Sequence, residues 1–362
     1  MIRLAFLLIC MLVLSPPGLS KEPAGAARVV FVNPAPRGDA FWDIAEQATR
    51  AAAADLGLHL AVVHANNSRY RTRTILLDLA RHRQPPDYVI FEAPPAFATE
   101  ILAALASARI HAVALGRREQ AGDAGAANPG PSPYILKEVF FDQVEVGKIQ
   151  ATALLAAATG RRAQSDCRCS AVGIGGARDA AGLARTRGLE AVFAQQAEYR
   201  LRQSVYSYWR QGAAREQATI ALFRYPDLGI IWTASDRLAL AAVDALKAMN
   251  VAPGRDVMVA GIDWLPEAVA AVARGELVVT IGGHFMAGAW AVVQIYDHHR
   301  GIRVHTHPVG RWGIVDKTNA ARYLKRLQNP RWHAVDFKGF TLTHNPRARV
   351  YHFDVHRVME QL

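Results

Sequence analysis

The sequence predicts an α/β protein of two doubly wound parallel-sheet lobes, and three observations carry that expectation. Short β-branched or apolar runs alternate along the chain with longer Ala/Leu-rich stretches of helical period. A Gly/Pro/Ala-rich loop, Glu119–Pro133 (EQAGDAGAANPGPSP), divides this alternation into two blocks with the same rhythm. The 362 residues suffice for about two domains of ordinary size, each with its own core.

Taken in order, the first twenty residues, MIRLAFLLICMLVLSPPGLS, belong to neither block. Arg3, an apolar run from Leu4 to Leu14, a Pro-Gly break and small Ser20 follow the order of a secretory signal peptide, with cleavage after Ser20. A retained anchor would need roughly 20 apolar residues, more than this run supplies. Cys10 does not follow the small residue of a lipoprotein box and would leave with the signal. A soluble, exported mature chain is therefore expected. Strand candidates are then Arg28–Val32, His59–His64, Tyr88–Phe91, Ala112–Leu115, Ala171–Ile174, Val205–Tyr208, Gly229–Thr233, Val257–Ile262 and Val278–Ile281. Between them, helices are expected at Asp43–Leu56, Ala96–Ala108, Gln143–Ala158, Leu183–Gln195, Asp236–Met249 and Ala287–His298. The clearest is ASDRLALAAVDALKAMN, where Leu238, Leu240, Val243 and Leu246 form the apolar face and Asn250 ends it. Repeated strand–helix units argue for parallel sheets covered on both faces.

The formal charge of +11 falls to +10 once Arg3 leaves with the signal. Such a balance raises nucleic acid as a partner, but the basic residues are dispersed and no helix-turn-helix or basic-aromatic stripe is present. A solvated basic surface is the better reading. Cys167 and Cys169 remain in SDCRCS; they are bridged or free in a loop, and two thiols alone do not complete a metal site.

In doubly wound sheets ligands sit beyond the carboxyl ends of the strands, so the residues after each run carry the information. The first run is followed by Asn33, Asp39, Phe41 and Trp42, the third by Glu92 and the fourth by Arg117; Asp142 closes VFFD. The second block adds Arg178, Asp179, Arg185 and Arg187, then Ser235-Asp236, Asp263-Trp264 and Gly283-His284. Carboxylates, guanidiniums and aromatics abound, whereas nucleophile–base pairs do not. Planar polar groups beside aromatic faces suit a polyhydroxylated ring, whose hydroxyls need hydrogen-bond partners and whose C–H faces lie on rings. Each position has a plainer role too: Asp39 and Asp236 as helix caps, Phe41 or Trp42 as core, Arg185 and Arg187 as solvated or locally paired groups.

Enzyme motifs are missing. GIGGARDAAG begins like a dinucleotide loop, but Arg178 stands where the third Gly belongs. There is no Walker loop, nucleophile elbow or H-E-x-x-H. DHHRGIRVHTH gathers His298, His299, His305 and His307, but no further ligand completes a metal spacing; a polar connection between lobes is the simpler reading. No catalytic residue, metal or cofactor is assigned.

At these strand ends the sequence resembles the type I periplasmic binding proteins, near the sugar-binding and autoinducer-receptor branch. The resemblance runs from about Arg28 to about Asp316 through VVFVNPAPRGDAFWDIAEQATRAAAADLGLHL, DYVIFEAPPAFATEILAALASARIHAVALGR, FFDQVEVGKIQATALLA, ARTRGLEAVF, IWTASDRLALAAVDALKAMN and MVAGIDWLPEAVAAVARGELVVTIGG. It implies two lobes joined by a three-crossover hinge and closing over a ligand. The N-terminal lobe would hold 28–141 and 284–308, the C-terminal lobe 142–282 and 309–330, and 331–362 would be a C-terminal extension. Ligand contacts carried over would fall on Phe41, Trp42, Arg117, Asp142, Arg185 or Arg187, Ser235, Asp236 and Asp263. With the strand-end residues Asn33, Asp39, Trp264 and His284 they form the candidate site. Two departures, Ser235-Asp236 for Asn-Asp and His284 near a usual Gln, leave room for a polar ligand other than a simple pentose or hexose. Cytoplasmic repressors share the fold but begin with a DNA-binding headpiece, where this chain has its signal.

The implied protein is a periplasmic monomer that closes on a small polar ligand and presents the closed form to an ABC permease or, alternatively, to a membrane sensor kinase. Trp332–Val358 is expected to form two alternating strands around the Asn345-Pro346 turn, a hairpin packed on one lobe or a surface for the membrane partner.

Overall fold

Phe31, Val89 and Val113, buried on the first, third and fourth apolar runs, anchor the first sheet. The computed structural model describes residues 25–116, 132–136, 141–162, 169–302 and 310–362; the signal peptide, Arg117, Cys167, His305 and His307 lie outside them. The first lobe contains β1 (Arg28–Asn33), α1 (Ala40–Asp55), β2 (His59–His64), α2 (Arg69–Arg81), β3 (Tyr88–Glu92), α3 (Ala98–Ser107) and β4 (His111–Leu115). Its strands are parallel in the order β2-β1-β3-β4, with Val29 opposite Leu60 on one side and Tyr88 on the other.

The second lobe begins with α4 (Gln143–Arg162) and continues through β5 (Ser170–Gly175), α5 (Ala180–Phe193), β6 (Arg200–Tyr206), α6 (Gln211–Arg224), β7 (Leu228–Thr233), α7 (Asp236–Ala248), β8 (Met258–Ile262), α8 (Pro266–Ala273) and β9 (Thr280–Gly282). The chain then returns to the first lobe as α9 (Ala287–His299), which packs on α1 where Gly288 meets Thr49. It crosses back as β10 (Gly313–Val315) and α10 (Ala320–Leu327). The second sheet has the order β10-β9-β8-β7-β5-β6, parallel except for the antiparallel β10 edge. The two parallel-sheet lobes expected from the sequence are thus present.

Helix starts follow their caps: Asp39 accepts from the Trp42 N–H at 3.1 Å, Asp179 from Gly182 at 2.7 Å and Ser235 from Leu238 at 3.4 Å. Helices α4 and α5 pack at backbone distance because two glycines face the crossing. A Cβ on Gly147 would stand 2.1 Å from the Arg185 carbonyl, and one on Gly188 2.2 Å from that of Val144. This close approach delivers Arg185 to the inner end of the second lobe.

Two expectations are corrected. The sixth strand is Arg200–Tyr206 instead of Val205–Tyr208. It is a half-exposed edge strand, so Arg200 and Arg202 point outward and obscure its alternation. The C-terminal segment contains no strand among its described residues: it forms 3-10 turns at Trp332–Ala334 and Lys338–Phe340, then α11 (Val355–Gln361). Its Val335, Phe337, Phe340 and Leu342 are buried, but the amides of Phe337, Leu342 and Thr343 bond carboxylates of the first lobe instead of a strand ladder.

Candidate functional site

The carboxyl ends of β1 and β3 face those of β5, β7 and β8 across the hinge, and the sequence-predicted residues divide sharply there. Asp39 caps α1 and also reaches across, its Oδ2 accepting from Arg237 Nη1 on α7 at 3.1 Å. The lobes are therefore close enough to ion-pair at the mouth of the cleft. The two neighbouring aromatics take different directions. Trp42 leans on core Phe31, with ring centroids 6.5 Å apart, while Phe41 stacks on His284 at 4.7 Å and 27°.

His284 is the centre of a ring cluster on the crossovers. Trp312 lies 4.9 Å and Phe141 6.3 Å from it, and the Trp312 indole N–H donates to the Asp142 carbonyl at 2.9 Å. Gly310 makes room for Phe141: a Cβ there would come within 2.2 Å of its ring. Asp142 itself caps α4, accepting from Val144 and Glu145 at 3.0 and 3.1 Å.

Behind the rings lies a buried ionic network. Arg185 donates through Nε to Gln143 Oε1 (2.8 Å) and through Nη1 to the Ala234 carbonyl (2.7 Å); Nη2 is 3.2 Å from His284 Nε2. Asp263 Oδ1 stands 3.9 Å from Arg185 Nη1 and 3.4 Å from His284 Nε2. Trp209 lies under the guanidinium at 5.9 Å and is fixed by its own N–H to Asp179 Oδ2 at 2.8 Å. Burial raises the Asp263 carboxyl to about 7 against the opposing pull of Arg185. The same burial, with the Arg185 charge, holds His284 well below its ordinary value, so its imidazole is neutral near pH 7. Its Nδ1 has no hydrogen-bond partner. Glu92, at the end of β3, keeps solvent contact within the cleft; enclosure and then Asp179 push its carboxyl above the usual range, and Arg185 opposes them.

Other candidates point elsewhere. Asn33 is fully buried, donating to Glu46 at 3.1 Å and accepting from the Ala35 N–H at 3.1 Å. Asp236 is enclosed: its oxygens accept from Thr280 Oγ1 at 2.7 Å and the Leu265 N–H at 2.8 Å. Ser235 caps α7. Trp264 is wholly buried in space left by Gly282 and Gly313, because positive φ at Asp263 (143°) and Trp264 (67°) turns the ring inward. Of the ligand contacts expected from the sequence, Asn33, Asp236 and Trp264 are thus buried and internally bonded, which gives each a structural role. Arg187 is exposed while Arg185 is buried, which settles which of the two points inward. Sequence reasoning missed Phe141, Gln143, Trp209, Arg237 and Trp312. Phe141 and Gln143 flank the candidate Asp142, and adjacency is the available signal.

Among the described residues no group of three His, Cys, Asp or Glu is placed to hold an ion, and His305 and His307 of the histidine run lie outside them. His298 Nδ1 pairs with Tyr88 Oη at 2.9 Å and its ring tilts against His111 at 4.6 Å, tying α9 to the base of the first sheet. Cys169 is disulfide-bonded.

A family model described as a periplasmic binding protein domain matches residues 29–301. A search of curated proteins finds no match. Among solved structures, a periplasmic sugar-binding protein from Pseudomonas fluorescens is 27% identical, with a TM-score of 0.82 over 91% of this chain and 99% of its own. An ABC transporter periplasmic solute binding protein from Actinobacillus succinogenes, with bound D-allose, is 20% identical with a TM-score of 0.70, covering 82% of this chain and 100% of its own. An ABC transporter solute binding protein from Bacillus halodurans, with bound myo-inositol, is 17% identical with a TM-score of 0.68, covering 83% and 99%.

Proposed function

We propose that this chain, which belongs to the periplasmic binding protein domain family, captures a small polyhydroxylated ligand, a sugar or cyclic polyol, and delivers it to an ABC permease. The observation that carries this reading is the juxtaposition of flat rings, Phe41, His284 and Trp312, with the buried Arg185–Asp263 pair at the hinge. Ring faces cover the C–H side of a sugar, and fixed polar groups take its hydroxyls. Sugars and polyols bound in similarly folded proteins support the same ligand class. A family of periplasmic binding proteins operates outside the cytoplasmic membrane, and export would use the Met1–Ser20 signal.

Mechanistically, the ligand bridges both walls and lowers the free energy of the closed form by its differential affinity for that form. Arg185 has five N–H donors, and the protein occupies most of them. It therefore acts chiefly as a fixed charge that orients Asp263 and His284. The neutral imidazole has a buried Nδ1 without a protein partner, which would accept from a hydroxyl or donate to one, according to the tautomer, once the lobes part to admit a ligand. The test is a thermal-shift screen of the mature protein against aldopentoses, aldohexoses and inositols. A cognate compound should raise the melting temperature by mass action. A folded protein that responds to no member of these classes would overturn the ligand assignment.

A further inference from the structure

The C-terminal segment crosses from one lobe to the other, and its anchors can be followed residue by residue. On the first lobe, Trp332 Nε1 donates to Gln47 at 3.2 Å, and the Phe337 and Lys338 amides donate to Asp55 at 2.9 and 3.2 Å. Asp297, fully buried on α9, accepts from the Leu342 and Thr343 amides at 2.7 and 2.9 Å and from the Thr343 hydroxyl at 2.6 Å. Trp290 on the same helix meets Phe340 at 4.8 Å and Phe353 at 4.7 Å, the latter ring parallel within 7°.

Immediately afterwards the chain is held by the second lobe. His356 Nδ1 pairs with Tyr323 Oη of α10 at 2.5 Å, and its ring lies 6.0 Å from Trp264. The same turn lies under both hinge crossovers. Val355 lies 3.0 Å from where a Gly283 Cβ would stand, and His356 3.2 Å from the equivalent point at Gly313. Those glycines adjoin His284 and Trp312, the rings of the cleft. Only Asp354 and the bonds on either side separate Phe353 on one lobe from Val355 on the other, a span of at most about 7 Å. There is no slack to absorb a relative rotation.

We propose that residues 332–359 form a strap that restrains the hinge, holding the two lobes toward the closed arrangement and fixing the crossovers that carry His284 and Trp312. Opening the lobes then requires release of an anchor or rotation about the narrow passage at Asp354. The restraint needs two lobes but no particular ligand, so it stands or falls separately from the sugar assignment.

The experiment adds slack between the two sets of anchors; the one bond spanning the insertion point, from the Asp354 N–H to the His352 carbonyl, is a local turn bond and belongs to neither anchor. Four glycines are inserted between Phe353 and Asp354, and the ligand-free protein carries fluorophores, attached through an unnatural amino acid, at Tyr70 and Tyr208. These positions are exposed, one on each lobe. Single-molecule energy transfer should show the open population rising about fivefold in the insertion variant, with Tyr323→Phe moving the distribution the same way by less. Hydrogen exchange at the Leu342 and Thr343 amides reports whether the first-lobe anchor stays docked. If both variants give the parent distance distribution, docked or not, the strap exerts no restraint and the proposal is wrong. If the insertion variant does not fold, Tyr323→Phe, which keeps the ring and loses only the hydroxyl, decides alone.

Discussion

The two walls of the cleft are built on opposite principles. The second-lobe wall is tightly wired: Arg185, Gln143 and Asp263 form one network with His284 of the crossover, and Arg185 and Asp263 are only 5% and 9% exposed in their side chains. The first-lobe wall is looser, offering Asp39, Phe41 and Glu92 with partial solvent contact. Its one described ion pair to the other lobe, Asp39–Arg237, leaves Arg237 39% exposed. The contrast assigns a rigid template to one lobe and a closing face to the other, which is the division a hinge-operated binder needs.

Breaking the template should therefore cost most. Arg185→Met strands Asp263 in a buried site, and unfolding in denaturant at pH 8 should reveal a loss of about 3–5 kcal/mol. Below pH 6 the loss should shrink, since the carboxyl then holds its proton. Asp263→Asn should suffer less than Arg185→Met at either pH.

The helix crossings extend the comparison. A methyl on Gly188 meets the Val144 carbonyl, which cannot yield without parting α4 from α5, so Gly188→Ala should lose about 1–3 kcal/mol. Gly288→Ala on the first-lobe side meets the Thr49 hydroxyl instead, which is buried and bonded to the Ala45 carbonyl at 2.7 Å. Thermal melts should show it destabilised as well, through loss of that bond or parting of α1 from α9.

The pH profile separates the members of the template. Asp263 holds its proton to about pH 7 when folded and releases it near 4 when unfolded, so it makes stability fall as pH rises between those values. His284 acts in reverse: its lowered value gives stability present above the unfolded imidazole's pKa and lost as pH falls through it. Asp263→Asn should flatten the decline between pH 4 and 7 in chemical denaturation, and His284→Gln should flatten the acid loss. The smallest effect is expected at the mouth, where Asp39→Asn should change stability by less than about 1 kcal/mol because the pair is solvent-screened.

Much of this arrangement was legible because it follows strand ends. Asp39, Phe41 and Asp263 follow an apolar run closely and Arg185 lies on the helix after one, and doubly wound sheets bring such positions together. What the pattern could not supply was the direction of a turn. Asn33, Asp236 and Trp264 occupy equivalent positions in sequence, yet positive φ values around Trp264 and the bonds to Asp236 turn them inward. Trp312 follows no strand run; it reaches the site on a crossover whose path depends on both lobes. Trp209 directly follows the expected Val205–Tyr208 run yet is not among the candidates; the strand ends at Tyr206, and the turn after it carries the indole to Asp179. The C-terminal segment misled for a related reason. Its buried apolar residues alternate only within the pairs Val335/Phe337 and Phe340/Leu342, and Asp55 and Asp297 capture amides that a strand would have paired.

The central claim is that ligand is held between the Phe41 face and the wired second-lobe wall. It is tested most directly by isothermal titration of the parent, Phe41→Ala and Trp42→Phe proteins with whichever screened sugar or inositol gives the largest thermal shift. Phe41→Ala should weaken binding at least about tenfold, the equivalent of roughly 1.4 kcal/mol of ring contact, and Trp42→Phe should leave it nearly unchanged. Parent-like affinity in Phe41→Ala would contradict the claim.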